Sequence, residues 1–365
     1  MFGLTKTQVT GKVRGMARVK IYILFLIGFL IAAALMILFL RSRTLYHGPV
    51  SDHFDGRSFH YKGPTRTFTD SFKWMREMKT IEWPEWINDP PQPKPVERVD
   101  AGELRVTYIN HGTVLIQMDG MNILTDPIWS DYSGPVSWMS TRRVRAPGVK
   151  FEDLPKIDVI LISHCHYDHL DMNTLKKLND KFQPRIFTGL GVGSILSPLK
   201  SNKVLEMDWW QKEEVKSSNL KIHFVPARHG SERILTGANK TLWGGFVIES
   251  PNGKVYFSGD TGYEDFLEEI HQRFAQFRLT ILPIGSYEKR WFMRTQHMNP
   301  EESVQVHRLL ESKQSVGFHY ATFAEHPEQT IDAHEKDLAD ALKKFSMKQS
   351  DFWVLKFGEG RYVSK

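Results

Sequence analysis

The feature that most constrains this chain is a group of four metal-ligand side chains within six residues, His164-Cys165-His166-Tyr167-Asp168-His169, directly after the apolar run Asp158-Val-Ile-Leu-Ile-Ser163. In extended backbone alternate side chains point the same way, so His164 and His166 share a face while Cys165 turns away into packing. Asp168 and His169 follow in the turn, where the chain can swing them toward a second position. Such a cluster makes a poor core and a good metal nest. Imidazole and carboxylate donors suit zinc, with manganese and iron as alternatives.

The residues around this cluster read as a layered sheet domain. Alternating or continuous apolar runs predict strands at 104–109, 114–118, 122–125, 158–163, 185–188, 220–225, 243–250, 254–258 and 279–283, with a hairpin turn at Asp119-Gly120. Helices are expected over 172–178 and 328–345, and another after Asn299, where Pro300, Glu301 and Glu302 form a helix start. A closing strand is expected at 352–357. Strands mixed with helices over 101–365 predict an α/β (α+β layered) domain.

The amino terminus differs. Residues 1–43 carry Lys6, Lys12, Arg14, Arg18, Lys20, Arg41 and Arg43 and no acid, leaving 41 basic and 42 acidic residues in 44–365. The overall charge of +6 is therefore a terminal feature, which argues against a nucleic-acid-binding face. After the basic tail of residues 1–20, residues 21–40 (IYILFLIGFLIAAALMILFL) are uncharged and long enough for a bilayer core of roughly 30 Å. The run exceeds a signal h-region and has no convincing small-x-small cleavage site, so it is read as an uncleaved transmembrane anchor. Five basic residues before the span against two after it place the amino terminus in the cytoplasm. The catalytic domain is then expected on the periplasmic side of a bacterial inner membrane. Residues 41–100, with Trp74, Trp83, Trp86 and a proline-rich stretch, read as a linker with a short helix near 72–78. The tryptophans are expected to pack against the domain. The one cysteine, Cys165, excludes an intramolecular disulfide.

HxHxDH after an apolar strand resembles the signature of the metallo-β-lactamase superfamily, and Pro226-Ala-Arg-His229-Gly, Ser258-Gly-Asp260-Thr-Gly262 and Gly317-Phe-His319 follow in that family's order. The resemblance implies an αββα sandwich, which in this chain is expected to be preceded by the one transmembrane helix read from residues 21–40. It also implies two zinc ions: one on His164, His166 and His229, the other on Asp168, His169 and His319, with Asp260 bridging. Asp126, in Leu124-Thr-Asp-Pro, resembles the family's Asp that orients a ligand histidine. The stretches His111-Gly-Thr-Val, Leu242-Trp-Gly-Gly and Pro283-Ile-Gly-Ser-Tyr-Glu-Lys-Arg-Trp-Phe-Met293 are similar to the branch of N-acyl-phosphatidylethanolamine-hydrolysing phospholipases D and their bacterial relatives. That branch implies a phospholipid substrate, with Tyr167, Gln296 and His297 at the substrate.

The expected chemistry is phosphodiester hydrolysis. The metal pair lowers the pKa of a bound water, Asp168 and Asp260 fix the metals, and His297 serves a phosphoryl oxygen or the leaving alcohol. Two other readings compete: a same-fold hydrolase of a lactone or soluble phosphodiester, and a membrane-tethered binding protein with a relict site. The stretch 284–297 favours the phospholipase branch, and a relict should have lost ligands, whereas all seven are present.

Overall fold

The computed structural model describes residues 6–63, 66–215, 218–324 and 328–365; the side chains of residues 6–21, 24 and 68 lie outside that description. The basic side chains from Lys6 to Lys20, on which the orientation argument rests, therefore fall outside it.

One compact unit is amino-terminal: helix α1, Lys6–Ser42, together with residues 234–237. The uncharged run forbids no helical position, and from Phe25 onward the side chains are largely exposed, Phe25 at 73% and Leu38 at 63%. Phe25–Ser42 is long and apolar enough to cross a membrane by length and composition.

The second unit comprises residues 44–233 and 238–365. Its first sheet contains β1 (Leu104–Asn110), β2 (Thr113–Met118), β3 (Met121–Thr125), β4 (Val159–Ile162), β5 (Arg185–Gly189) and β6 (Val204–Met207). The second contains β7 (Lys212–Glu214), β8 (Lys221–Val225), β9 (Gly245–Ser250), β10 (Gly253–Phe257), β11 (Leu279–Pro283), β12 (Ser315–Phe318) and β13 (Phe352–Trp353). The last strand, β14 (Gly360–Tyr362), returns to the first sheet.

The two strand orders are β14-β1-β2-β3-β4-β5-β6 and β13-β12-β11-β10-β9-β8-β7. In each sheet an antiparallel half gives way to a parallel half, at β3–β4 and at β10–β11. Strand β4 is apolar throughout because both faces are covered: Val159 and Leu161 enter the main core, Ile160 and Ile162 a second one. Helix α3 (Met172–Phe182) supplies Leu175 and Leu178 to that second core, beside the short α4 (Val192–Leu196). After α5 (Phe266–Phe274) and the short α6 (Arg290–Met293) come α7 (Pro300–Leu309) and α8 (Ala333–Lys344); α5, α7 and α8 bury Leu267, Ile270, Val304, Leu338 and Leu342 in the main core. The architecture is the expected αββα sandwich.

Several boundaries differ from the sequence reading. Helix α2 spans Phe68–Glu77, starting four residues before the expected position because Thr67 and Asp70 form a capping box. Residues before 100 join the layered unit, with Phe54 and Phe59 in the main core. Trp74 stacks on Phe292 and donates to Glu328, and Trp83 donates to the Gln329 carbonyl. Those contacts tie down Glu328 and Gln329, so α8 starts at Ala333 rather than at 328. The closing strand is split: β13 ends at Trp353, and Gly358, at φ +85°, helps turn the chain toward β1 in the other sheet.

Candidate metal centre

The functional side chains sit where strands end. His164 follows β4, His229 follows β8, Asp260 follows β10, and His319 comes directly after β12. The carboxyl ends of parallel strands leave the sheet together and open a crevice there. The turn between β1 and β2 adds His111, and the end of β3 adds Asp126. His111, Asp126 and His319 all have left-handed backbone, with φ of 39°, 33° and 64°. For residues other than glycine this conformation is costly, and it persists here because the surrounding packing fixes it.

Two groups of donors result. The ligand atoms of His164, His166 and His229 lie within 4.8 Å of one another, as do those of His111, Asp168, His169 and His319. His164 Nε2 is 2.9 Å from His166 Nδ1, which is 3.2 Å from His229 Nε2. His169 Nε2 is 3.2 Å from Asp168 Oδ2, and His319 Nε2 is 3.6 Å from the same oxygen. Asp260 Oδ2 stands between the groups, 3.0 Å from His319, 3.2 Å from His169 and 3.9 Å from His229.

The outer hydrogen bonds orient these rings. His169 Nδ1 donates to Asp126 Oδ2 at 2.8 Å, and His229 Nδ1 donates to the Gln296 carbonyl at 3.0 Å. Each bond turns the lone pair of the ring's Nε2 toward the cluster. Ser163 donates its hydroxyl to Asp126 and contacts His164 Nδ1. Gly112 permits the close approach: a Cβ there would meet His169 Nδ1 at 2.9 Å.

The electrostatics test whether cations fit. Burial works against ionisation of Asp168 and Asp260, but His169 overcomes it and holds both well below the usual carboxylate range. Burial opposes protonation of His319, yet Asp260 and Asp168 carry its pKa up to about 9. Burial instead takes His229 and His111 down to about 3. The buried Nε2 atoms of His169 and His319 lack a partner with hydrogen-bond geometry among the described residues, as does Asp260 Oδ1. Lone pairs facing carboxylates at this range require a proton or a metal cation between them. The donor set is the nitrogen and oxygen chemistry of zinc, manganese or iron sites.

Residues 121–320 match the model of the beta-lactamase superfamily domain. The chain belongs to the metallo-β-lactamase superfamily. It is 34% identical over 287 residues to N-acyl-phosphatidylethanolamine-hydrolyzing phospholipase D 1 of Caenorhabditis elegans, covering 73% of this chain and 79% of that one. It is 32% identical over 251 residues to the mitochondrial N-acyl-phosphatidylethanolamine-hydrolyzing phospholipase D of Saccharomyces cerevisiae, covering 67% of this chain and 53% of the yeast protein. Among solved structures, a metallo hydrolase of the archaeon Ignicoccus hospitalis superposes with a TM-score of 0.55 at 21% identity, covering 72% of this chain and 99% of the other. The protein is thus a metal-dependent hydrolase of the superfamily, with His/Asp clusters that can bind metal.

Above the donors a cleft of about 550 Å³ is lined by Tyr167, Asp260, Gln296 and His297, with Arg66 and Met293 on its wall. Of the seven expected ligands, His166, Asp168, His229, Asp260 and His319 line the cleft, and His164 and His169 belong to the same donor groups. His297 Nδ1 is 3.8 Å from Asp260 Oδ2, and burial drives its pKa well below 6.5, leaving a neutral imidazole at the cleft. Tyr167 lies under the Arg233 guanidinium at 3.8 Å. Cys165 is buried in the second core. Two residues were not expected at the site. His111 Nε2 is 2.7 Å from Asp168 Oδ2. Arg66 reaches the cleft from the segment read as a linker.

Proposed function

We propose that the protein is a membrane-anchored, dinuclear metal-dependent phosphodiesterase of the phospholipase D type, acting on N-acyl-phosphatidylethanolamine-like lipids. His164, His166 and His229 would hold one cation, and Asp168, His169 and His319 the other, with Asp260 shared; two zinc ions suit this set. The observation that carries the reading is Asp260 Oδ2, within 3.9 Å of ring nitrogens from both groups. The names of the worm and yeast relatives support the phospholipid substrate. The apolar span Phe25–Ser42 supports a protein held at a bilayer, and the five basic residues before the span against two after it are the reason for placing the hydrolase unit on the periplasmic side.

When bound, such a metal pair supplies an activated water and stabilises phosphoryl oxygens. The chain's own side chains do the rest. Asp126 and the Gln296 carbonyl lock the rings of His169 and His229, so the donors need not reorganise during the reaction. His111 Nε2 holds Asp168 Oδ2 by a charge-assisted contact at 2.7 Å. His297, neutral beside Asp260 at the cleft wall, is positioned to donate its ring N–H in a hydrogen bond to a phosphoryl oxygen or to the departing head-group oxygen, which takes its proton from the attacking water. Water's oxygen joins phosphorus, the phosphorus–oxygen bond to the head group breaks, and the products are phosphatidic acid and an N-acylethanolamine.

The test is hydrolysis of N-acyl-phosphatidylethanolamine in mixed micelles by the full chain, with and without chelator, beside Asp260→Ala. Release of N-acylethanolamine that needs both metal and Asp260 supports the assignment. No release from folded protein carrying two metals would sink the lipid substrate, and lactones and soluble phosphodiesters become the substrates to assay.

A further inference from the structure

Arg66 is a cation that the hydrogen bonds around it do not explain. It lies just before α2, half-buried, with Nε donating to the Phe292 carbonyl at 2.9 Å and Nη2 3.5 Å from Met293 Sδ. Its guanidinium carbon stands 3.9 Å from the centre of the Phe292 ring. Among the described residues it makes no ion pair, and Nη1 makes no hydrogen bond. Burial lowers its pKa to about 10, so it stays charged at neutral pH. Placing a charge out of water without a counter-charge is costly, and chains rarely keep one without a use. Packing alone would be served by a neutral side chain on Phe292.

The location supplies the use. Arg66 lines the same cleft as Asp260, Gln296 and His297. We propose that Arg66 is the anion-recognising residue of the cleft, its open guanidinium edge taking a non-bridging oxygen of a phosphodiester. The inference rests on reading the site as a phosphodiesterase. It adds that the wall residue, not only the metals, selects an anionic substrate. A guanidinium suits this because its planar fork matches phosphate oxygens, and its two contacts to Phe292 and Met293 pre-orient the fork. A neutral ester presents no such anion, so Arg66 is a specificity residue and not part of the bond-breaking machinery.

The test uses the metal-loaded full chain, with Arg66→Gln and Arg66→Lys beside the parent. Binding of inorganic phosphate is measured by calorimetry, and turnover with bis(p-nitrophenyl) phosphate and, as a neutral ester, p-nitrophenyl acetate. Arg66→Gln is expected to weaken phosphate about tenfold and to raise KM for the diester by a similar factor, with kcat changed less and the ester unaffected. Arg66→Lys is expected to keep most of the phosphate affinity, because the charge remains. Unchanged phosphate affinity and KM in Arg66→Gln would overturn the inference, as would an equal loss toward the neutral ester. If Arg66→Gln melts early, Arg66→Met, which keeps an unbranched apolar stem on Phe292 without the charge, decides: retained phosphate affinity in it overturns the inference. If the parent hydrolyses no phosphodiester, the functional reading fails by itself, while the calorimetric comparison still reads Arg66.

Discussion

Asp260 Oδ2 lies 3.0 Å from His319 Nε2 and 3.2 Å from His169 Nε2, and neither contact has hydrogen-bond geometry. A single oxygen facing two ring nitrogens, with a third from His229 at 3.9 Å, is an arrangement that a cation completes. Asp260→Asn keeps the shape and removes the charge. Metal analysis of the purified variant is expected to fall from two equivalents to one or fewer, with hydrolysis reduced about a thousandfold, roughly 4 kcal/mol of barrier. Two tightly held metals in this variant would show that Asp260 does not bridge.

Asp126 acts one step away. Its side chain accepts from His169 Nδ1, from the Ser163 hydroxyl and from the Ser163 amide at 2.7 Å. Asp126→Asn presents an N–H to at least one of these donors and loosens the His169 ring. Metal affinity measured by chelator competition is expected to drop about 10- to 100-fold, as for other groups that orient a metal ligand. An unchanged affinity would mean that packing alone holds His169.

The contrast between these two carboxylates and His111 shows what a sequence can reveal. The cluster at 164–169 was legible because metal chemistry demands a few residue types close together, whereas His229, Asp260 and His319 were expected through the family resemblance, and the fold brings them to that cluster. Asp126 was legible only through the resemblance of Leu124-Thr-Asp-Pro to the family's ligand-orienting Asp. His111 offers only one histidine after a strand; its partners Asp168 and Thr322 are 57 and 211 residues away, a proximity that only the fold creates. Gln296 orients His229 through its backbone carbonyl, which no side-chain pattern records. Arg66 hid in an apparent linker whose aromatic residues pack into the domain. Among the strands, β6, β7 and β14 were missed because they are short and partly exposed, so they lack the apolar alternation that marked the central strands.

Metal removal should be visible in stability. Without cations the carboxylates Asp168 and Asp260 must be balanced by protons on His169 and His319, and other ring lone pairs remain unpartnered. Cations that bind only the folded state stabilise it by mass action, by several kcal/mol when their concentration greatly exceeds the dissociation constant. A chelated sample is expected to melt roughly 10 °C below the loaded one, at about 2–4 °C per kcal/mol. Equal melting temperatures, with metal loss verified, would contradict a structural contribution from the ions.

A pH dependence separate from the metals comes from His307 on α7. Burial lowers its pKa to about 4, and its Nδ1 contacts Ser315 Oγ at 2.7 Å. The unfolded chain protonates this imidazole near pH 6.5 while the folded chain resists down to about 4. The unfolded state therefore binds more protons in that window, and stability falls as the pH drops from 6.5 toward 4. Urea midpoints of the metal-loaded protein are expected to decline across this range, and His307→Gln to decline less steeply, by up to about 1.4 kcal/mol per pH unit. Parallel curves for the two proteins would assign the acid limb to other groups.

A steric requirement that bears directly on the His169 ring falls on Gly112. A Cβ added there would sit 2.9 Å from His169 Nδ1, 3.1 Å from His169 Cε1 and 3.2 Å from the Asp126 Cβ. Both neighbours are fully buried and joined by a hydrogen bond, so neither can retreat without breaking it. Gly112→Ala is expected to cost about 1–3 kcal/mol, as overpacking does, and to lower metal affinity because the shift falls on His169. Pairing it with Asp126→Asn in a double-mutant cycle separates the two effects. Metal affinities that fall by less than the product of the single losses would show both changes acting through the same ring; fully multiplicative losses would show that the glycine matters to the turn and not to His169.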